Sequence, residues 1–383
     1  TAEEIKKYNP RPVTRIVKLS SNENPYGPSE RVRNAIKDSF GDACRYPYEY
    51  ILELQKSLAK KHNVSPESIV ITGGSNEALR ITGLAVADDG GEIVAGQPTY
   101  LALMSYAEAW GGKIKWVPVD SNKGYDLGKI EESIDNQTKM VFIANPNNPT
   151  GTLLEKSSLS DFCERASEKT IVFCDEAYYD YIEEPDYPSM DYLVRAGKNV
   201  IISRTFSKVY GMAGLRIGYL VLKPELADKL FGEYSPYGRN KIMAQTNVLA
   251  VAAASEALKD KEFYSFSLKK AIQEKDKIYK ELNKEQDSVN QIDWIELELE
   301  ALTEAKNLDV EHAEAGGGFI SCGGPCSSLF QQTLQTAQQG AINVATTATS
   351  FNTASLWFKE NILDGLAWTF AKSIVSRMVS SLV

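Results

Sequence analysis

Short apolar runs punctuate the chain between Ser68 and Leu222, spaced so that most neighbouring runs leave room for a helix between them. The runs SIVIT (68–72), GEIVAG (91–96), KIKWVPV (113–119), KMVFIAN (139–145), TIVFCD (170–175), NVIISRT (199–205) and IGYLVL (217–222) are β-rich and of strand length. Intervening segments such as Asn76–Val86 and Ser157–Ser167 predict helices. Repeated strand, helix, strand units require crossover connections, which predicts an α/β domain with a mostly parallel sheet flanked by helices. In such sheets ligands gather outside the carboxyl ends of the strands. After Pro224 the pattern changes to long helical segments, Met243–Leu258 and Lys261–Leu282. From about Lys284 the periodicity fades, and residues 331–350 are dominated by Gln, Thr and Ala, a composition that argues poorly for a packed core.

A length of 383 residues favours about two domains and rules out a small disulfide-stapled scaffold. No run approaches the roughly 20 apolar residues of a membrane helix. Lys and Arg total 42 against 51 Asp and Glu, a net charge of −9, so a nucleic-acid backbone is an unfavoured partner while a small anion held by a few local cations is allowed. Five cysteines at irregular spacing read as reduced thiols and suggest the cytoplasm, although the absence of an initiator Met leaves a removed export segment open. His62 and His312 lack a second ligand at helical spacing, and Cys322 and Cys326 form the one close thiol pair, so no metal site is expected.

Four of the strand ends carry unusual polar motifs. Gly73-Gly74-Ser75-Asn76-Glu77 combines backbone freedom with helix-capping residues, which makes either an anion seat or an ordinary β-to-α turn. Neither a dinucleotide fingerprint nor a P-loop is present. Asn145-Pro146-Asn147-Asn148-Pro149-Thr150-Gly151 forces a turned backbone and presents amide side chains at the sheet edge. Asp175-Glu176-Ala177-Tyr178 places a carboxylate directly after an apolar strand, where it is costly unless paired; a protonated ring nitrogen is a fitting partner, a helix cap the alternative. Arg204-Thr205-Phe206-Ser207-Lys208, with Arg216 following in Gly214-Leu215-Arg216-Ile217-Gly218, groups hydroxyls and cations that can hold one phosphate and leave an amine for Schiff-base chemistry. A solvated surface lysine is disfavoured here by the preceding apolar strand.

In this order the four motifs resemble the pyridoxal-phosphate-dependent class I/II aminotransferases of the aspartate aminotransferase fold, and most of all the histidinol-phosphate aminotransferase family. Leu19–Pro28, Arg45-Tyr46-Pro47 and Gln97-Pro98-Thr99-Tyr100 support the subfamily, and the resemblance covers roughly residues 15–280. It implies that Lys208 forms the aldimine with pyridoxal 5′-phosphate and later carries the proton, that Asp175 pairs with the ring nitrogen, and that Asn148 and Tyr178 bond the ring's phenolic oxygen. It further implies that Tyr100 stacks on the ring, that Gly74, Ser75, Asn76, Thr205, Ser207 and Arg216 hold the phosphate, and that Tyr46 reaches the phosphate of a neighbouring subunit in a homodimer. Asn22 and Tyr26 fall in the segment bordering substrate. An arginine for the substrate carboxylate is implied in a C-terminal strand, and Arg377 is the one candidate after Arg239, weighed against an ordinary surface residue. The implied domains are a large cofactor-binding domain over 41–254 and, from 1–40 plus 255–383, an N-terminal arm and a small domain. The implied reaction, of a kind found in amino-acid biosynthesis, moves an amino group between an amino acid or a histidinol-phosphate-like amine and a 2-oxo acid such as 2-oxoglutarate. A decarboxylase or lyase, or a cofactor-binding protein without turnover, are the alternatives.

Overall fold

All seven apolar runs become strands of one sheet in the computed structural model, which describes residues 21–232 and 242–288. The strands are β1 (Ile69–Thr72), β2 (Glu92–Gln97), β3 (Lys113–Pro118), β4 (Thr138–Ala144), β5 (Ile171–Asp175), β6 (Val200–Thr205) and β7 (Gly218–Leu222). Their order is β1-β7-β6-β5-β4-β2-β3. Every pair is parallel except those of β7, which runs antiparallel to both β1 and β6. This is the mostly parallel, helix-flanked α/β architecture that the pattern predicts. The central strands are buried along almost their whole length, as expected when both faces are covered. Phe142 and Phe173, neighbours on β4 and β5, stack with ring centroids 5.7 Å apart. Each such fully buried large side chain contributes roughly 1.5–3 kcal/mol relative to exposure.

The helices begin and end where local chemistry dictates. In α1 (Glu30–Asp38) the Ser29 hydroxyl accepts the Val32 N–H, with Glu30 in the first turn and Lys37 in the last, each at the end of the helix dipole that suits its charge. Helix α2 (Tyr48–His62) stops at Asn63, in the left-handed region with φ 51°. Then come α3 (Ser75–Ala87), α4 (Ala102–Ala109), α5 (Leu127–Glu132), α6 (Lys156–Lys169), α7 (Asp191–Arg195) and α8 (Pro224–Phe231). Helix α9 (Val248–Lys259) starts later than its apolar pattern suggests, because Asn247 caps it by accepting the Ala250 N–H. It packs against α1 and α2. Helix α10 runs over Lys261–Ser288. His62 is buried between α2, α7 and β7, its ring nitrogens bonded to Asp191 at 2.8 Å and the Tyr219 hydroxyl at 2.9 Å, a structural role.

Of the described residues, 23–232 and 242–273 belong to one compact unit, and 21–22 with 274–288 to a second. The site described next lies within the first. No described helix is long and apolar enough to cross a membrane, and no cluster suited to a metal ion occurs among the described residues.

Candidate active site

The carboxyl ends of β1, β5 and β6 lie on one edge of the sheet, and the loops leaving them carry the polar motifs. After β1 the chain turns through Gly73 and Gly74 into α3. Gly74 has φ 91°, and a Cβ on it would lie 2.5 Å from Arg216 Nη2. The glycine therefore lets the guanidinium of Arg216 rest against the first turn of α3, where backbone N–H groups point outward. Arg216 itself adopts φ 55°, and its Nη1 donates to Ala213 O at 2.7 Å. Beside it, Thr205 Oγ1 donates to Ser207 Oγ at 3.0 Å and accepts the Ser207 N–H at 3.1 Å. An exposed arginine, two hydroxyls and a helix N-terminus thus converge on one seat for an anion.

Asp175 ends β5 and is 5% exposed. Burial pushes its carboxyl up to about 7, against the Ala177 N–H, which donates to Oδ1 at 3.2 Å, and against the charge of Lys208. A buried acid poised in this way favours a ligand that brings a positive N–H. Lys208 is half-buried, with Nζ 5.2 Å from the Tyr178 ring centroid. Its amine is held below the ordinary lysine range, chiefly by burial; Arg216 adds to that, while Glu23 and Asp175 oppose it. Tyr100 is 39% exposed, and its hydroxyl is pushed up by partial burial and then by the Asp175 charge.

The Asn-rich loop divides its labour. Asn145 and Asn147 turn inward: Asn145 Nδ2 donates to the Tyr187 hydroxyl at 2.8 Å, and Asn147 Oδ1 accepts from Tyr125 at 2.7 Å and Thr99 at 3.0 Å. The expectation that the loop presents its amides at the sheet edge is thus corrected for these two, because each completes a buried network. Asn148 remains half-buried at the rim. Asn76 Nδ2 donates to the Tyr106 hydroxyl at 3.3 Å. Tyr46 is 75% exposed, its ring 5.9 Å from that of Tyr48. Tyr26 packs edge-on against Phe266, with centroids 5.0 Å apart. Asn22 belongs to the second unit, and Arg377 lies outside the described residues.

Two features of this edge carry no role in the sequence reading. The Glu176 carboxylate accepts from Arg204 Nη2 at 2.6 Å and Nε at 2.8 Å, from Ser189, and from the Met190 N–H, with both charged side chains 5% exposed. Arg204 also lies 3.9 Å from the Tyr179 ring centroid. The pair joins the ends of β5 and β6 one residue away from Asp175 and Thr205. Charge beside an apolar strand, Glu176 just after β5 and Arg204 within β6, is costly unless paired, a sign that each needs a partner but not of which one. The second feature is Asn24, taken up below.

Residues 14–346 match the family model described as aminotransferase class I and II. The chain is 36% identical over 248 residues to a histidinol-phosphate aminotransferase of Caldicellulosiruptor saccharolyticus, a match covering 65% of this chain and 67% of that protein. It spans about two thirds of the length of such curated relatives. Among solved structures it is similar to histidinol-phosphate aminotransferase from Sinorhizobium meliloti in complex with pyridoxal-5′-phosphate, with a TM-score of 0.62 and 27% identity over 72% of each chain. Aspartate aminotransferase from Thermotoga maritima, at 22% identity and a TM-score of 0.61 over 70% of this chain and 73% of that one, shows the shared fold.

Proposed function

Since the chain belongs to the class I and II aminotransferase family, whose cofactor is pyridoxal 5′-phosphate, we propose that it transfers an amino group between a histidinol-phosphate-like amine and a 2-oxo acid such as 2-oxoglutarate. One observation carries this reading: a half-buried lysine, its Nζ 5.2 Å from the Tyr178 ring centroid, and a buried acid within reach of its charge share one end of the sheet with a seat for an anion.

The residues fit the cofactor. Gly74 leaves room for the Arg216 guanidinium against the first turn of α3, and Arg216, Ser207, Thr205 and the N–H groups at Ser75 and Asn76 suit a phosphate dianion. When bound, pyridoxal phosphate supplies an aldehyde carbon that condenses with amines and a ring that draws electrons from the bonds of the attached α-carbon. Asp175 would accept the pyridine N–H and keep the ring nitrogen protonated, the positive charge offsetting the cost of burying a charged carboxyl. Lys208 Nζ, uncharged at lower pH than an ordinary lysine, would hold the cofactor through its aldehyde with loss of water and, once displaced by the substrate amine, would move a proton at the substrate α-carbon. Tyr178 and Asn148 would bond the phenolic oxygen, and Tyr100 would cover the ring. Tyr26 would border the substrate. Exposed Tyr46, with Phe40, Tyr48 and Leu52 exposed nearby in the chain, supports a homodimer in which Tyr46 serves the neighbouring phosphate.

The test is the visible spectrum of the loaded protein as glutamate and then histidinol phosphate are added. Bleaching of the yellow band by a donor, restored by 2-oxoglutarate, is the expected result. A band that no amino donor bleaches, with carbon dioxide released instead, would replace transfer by decarboxylation.

A further inference from the structure

The segment Asn24–Gly27 lies directly on the turn that carries Lys208. Asn24 Nδ2 donates to Val209 O at 2.9 Å and to Ser267 Oγ on α10 at 3.1 Å. Its Oδ1 accepts the Tyr26 N–H at 3.1 Å, and its backbone carbonyl accepts the Gly27 N–H at 3.2 Å. On the other side, the Gly211 N–H donates to Lys208 O at 3.0 Å and closes the lysine turn. Gly211 has φ 67°, and a Cβ there would stand 2.4 Å from Gly27 O, so the two segments meet backbone to backbone. The strap and the lysine turn are thus joined at two points, one a side-chain bond to the residue after Lys208 and one a contact that tolerates only glycine. Tyr26, on the strap, is fixed in turn by its N–H and by Phe266.

We propose that Asn24 is a positioning residue, holding the Lys208 turn and the substrate-bordering strap in one fixed geometry through its bond to Val209 O. The proposal rests on the reading that Lys208 carries the proton. A single amide spans both sides of the reacting centre: its nitrogen anchors the backbone of the amine, its oxygen the backbone of Tyr26. Releasing the nitrogen lets the turn shift relative to the strap, and a displacement of about 1 Å at a reacting group costs on the order of 10²-fold in rate.

The experiment compares N24A, N24D and S267A, each loaded with cofactor, by the single-turnover rate of band bleaching with glutamate per loaded site, alongside KM and thermal stability. Asp at position 24 keeps the size and the acceptor for Tyr26 but lacks the donor to Val209. Expected are losses of about 10–100-fold in the per-site rate for N24A and N24D, with KM changed far less, and a rate within about twofold of the parent for S267A. If N24A fails to fold, N24S is read in its place. A per-site rate preserved in N24A and N24D, with only stability lowered, overturns the proposal. So does an S267A loss as large as that of N24A, since Asn24 would then act through α10. K208A is run beside them: turnover retained by K208A removes the underlying reading, whereas inactive K208A with normal N24A and N24D removes only this proposal.

Discussion

Replacing Asp175 by Asn trades function for stability, and the size of the trade follows from burial. In the unfolded chain an aspartate titrates near 3.8, whereas in the folded protein burial pushes Asp175 up to about 7. The folded state therefore holds its proton more tightly and carries a penalty for the charged form. That penalty is absent below pH 3.8, grows as pH rises between the two values and is complete above about 7. A difference of about three units, each worth about 1.4 kcal/mol, makes it roughly 4 kcal/mol. Asn has the same shape and still accepts the Ala177 N–H, but it never ionises. The cofactor-free D175N protein is thus expected to be more stable than its parent by a margin that grows by roughly 2–3 kcal/mol between pH 5 and pH 8, read from urea unfolding at both pH values. The same substitution should lower turnover by at least about 10²-fold, because the amide cannot hold a ring proton as an anion does. A stability margin unchanged across that range, or a D175N protein less stable at pH 8, would refute the argument from burial.

Three further substitutions or treatments probe other parts of the edge. G74A places a Cβ against Arg216 and an alanine at φ 91°, so cofactor affinity should fall about 10–100-fold in an equilibrium titration, with the sheet intact by circular dichroism. R204M strands the buried Glu176 carboxylate and should cost about 3–5 kcal/mol of stability in urea, of which E176Q/R204M recovers a large part; equal losses in the single and double variants would contradict the pairing. In the cofactor-free protein, acetic anhydride should label Lys208 with a pH midpoint below the ordinary lysine value of 10.5, read by peptide mass spectrometry, and bound cofactor should block the labelling.

The fold was legible because its signal is local. Seven apolar runs between turn residues became seven strands, each within about a residue of the expected bounds, as buried parallel strands leave nearly continuous hydrophobic text. The start of α9 was missed although its sign was present: Asn247 precedes the Ala-rich run and stops the apolar pattern from extending back to Met243. In the site, grouping was legible where residues are near neighbours in the chain, as with Thr205 and Ser207, which hydrogen-bond each other. Pairings across sequence distance were not. Nothing in the text of Asn24 points to Val209, nor in Glu176 to Arg204, because each bond exists only after the sheet has brought its partners together. The inward turn of Asn145 and Asn147 was hidden for the same reason, since Tyr187 and Tyr125 reach them from other elements.

The antiparallel strand β7 also sets an order of events during synthesis. In the described sheet β1 has β7 as its sole neighbour, with Ile69 opposite Val221 and Thr72 opposite Gly218. The ribosome therefore delivers an apolar strand whose pairing partner is still untranslated, and at about 5–20 residues per second the wait is on the order of ten seconds. Through that interval the turn after Thr72 has no Arg216 beside it, so the anion seat is among the last parts of this sheet edge to be assembled. A message truncated ahead of the Gly218 codon yields a nascent chain with an uncapped sheet edge and no seat for the cofactor that could rescue it, a substrate for chaperones or for self-association.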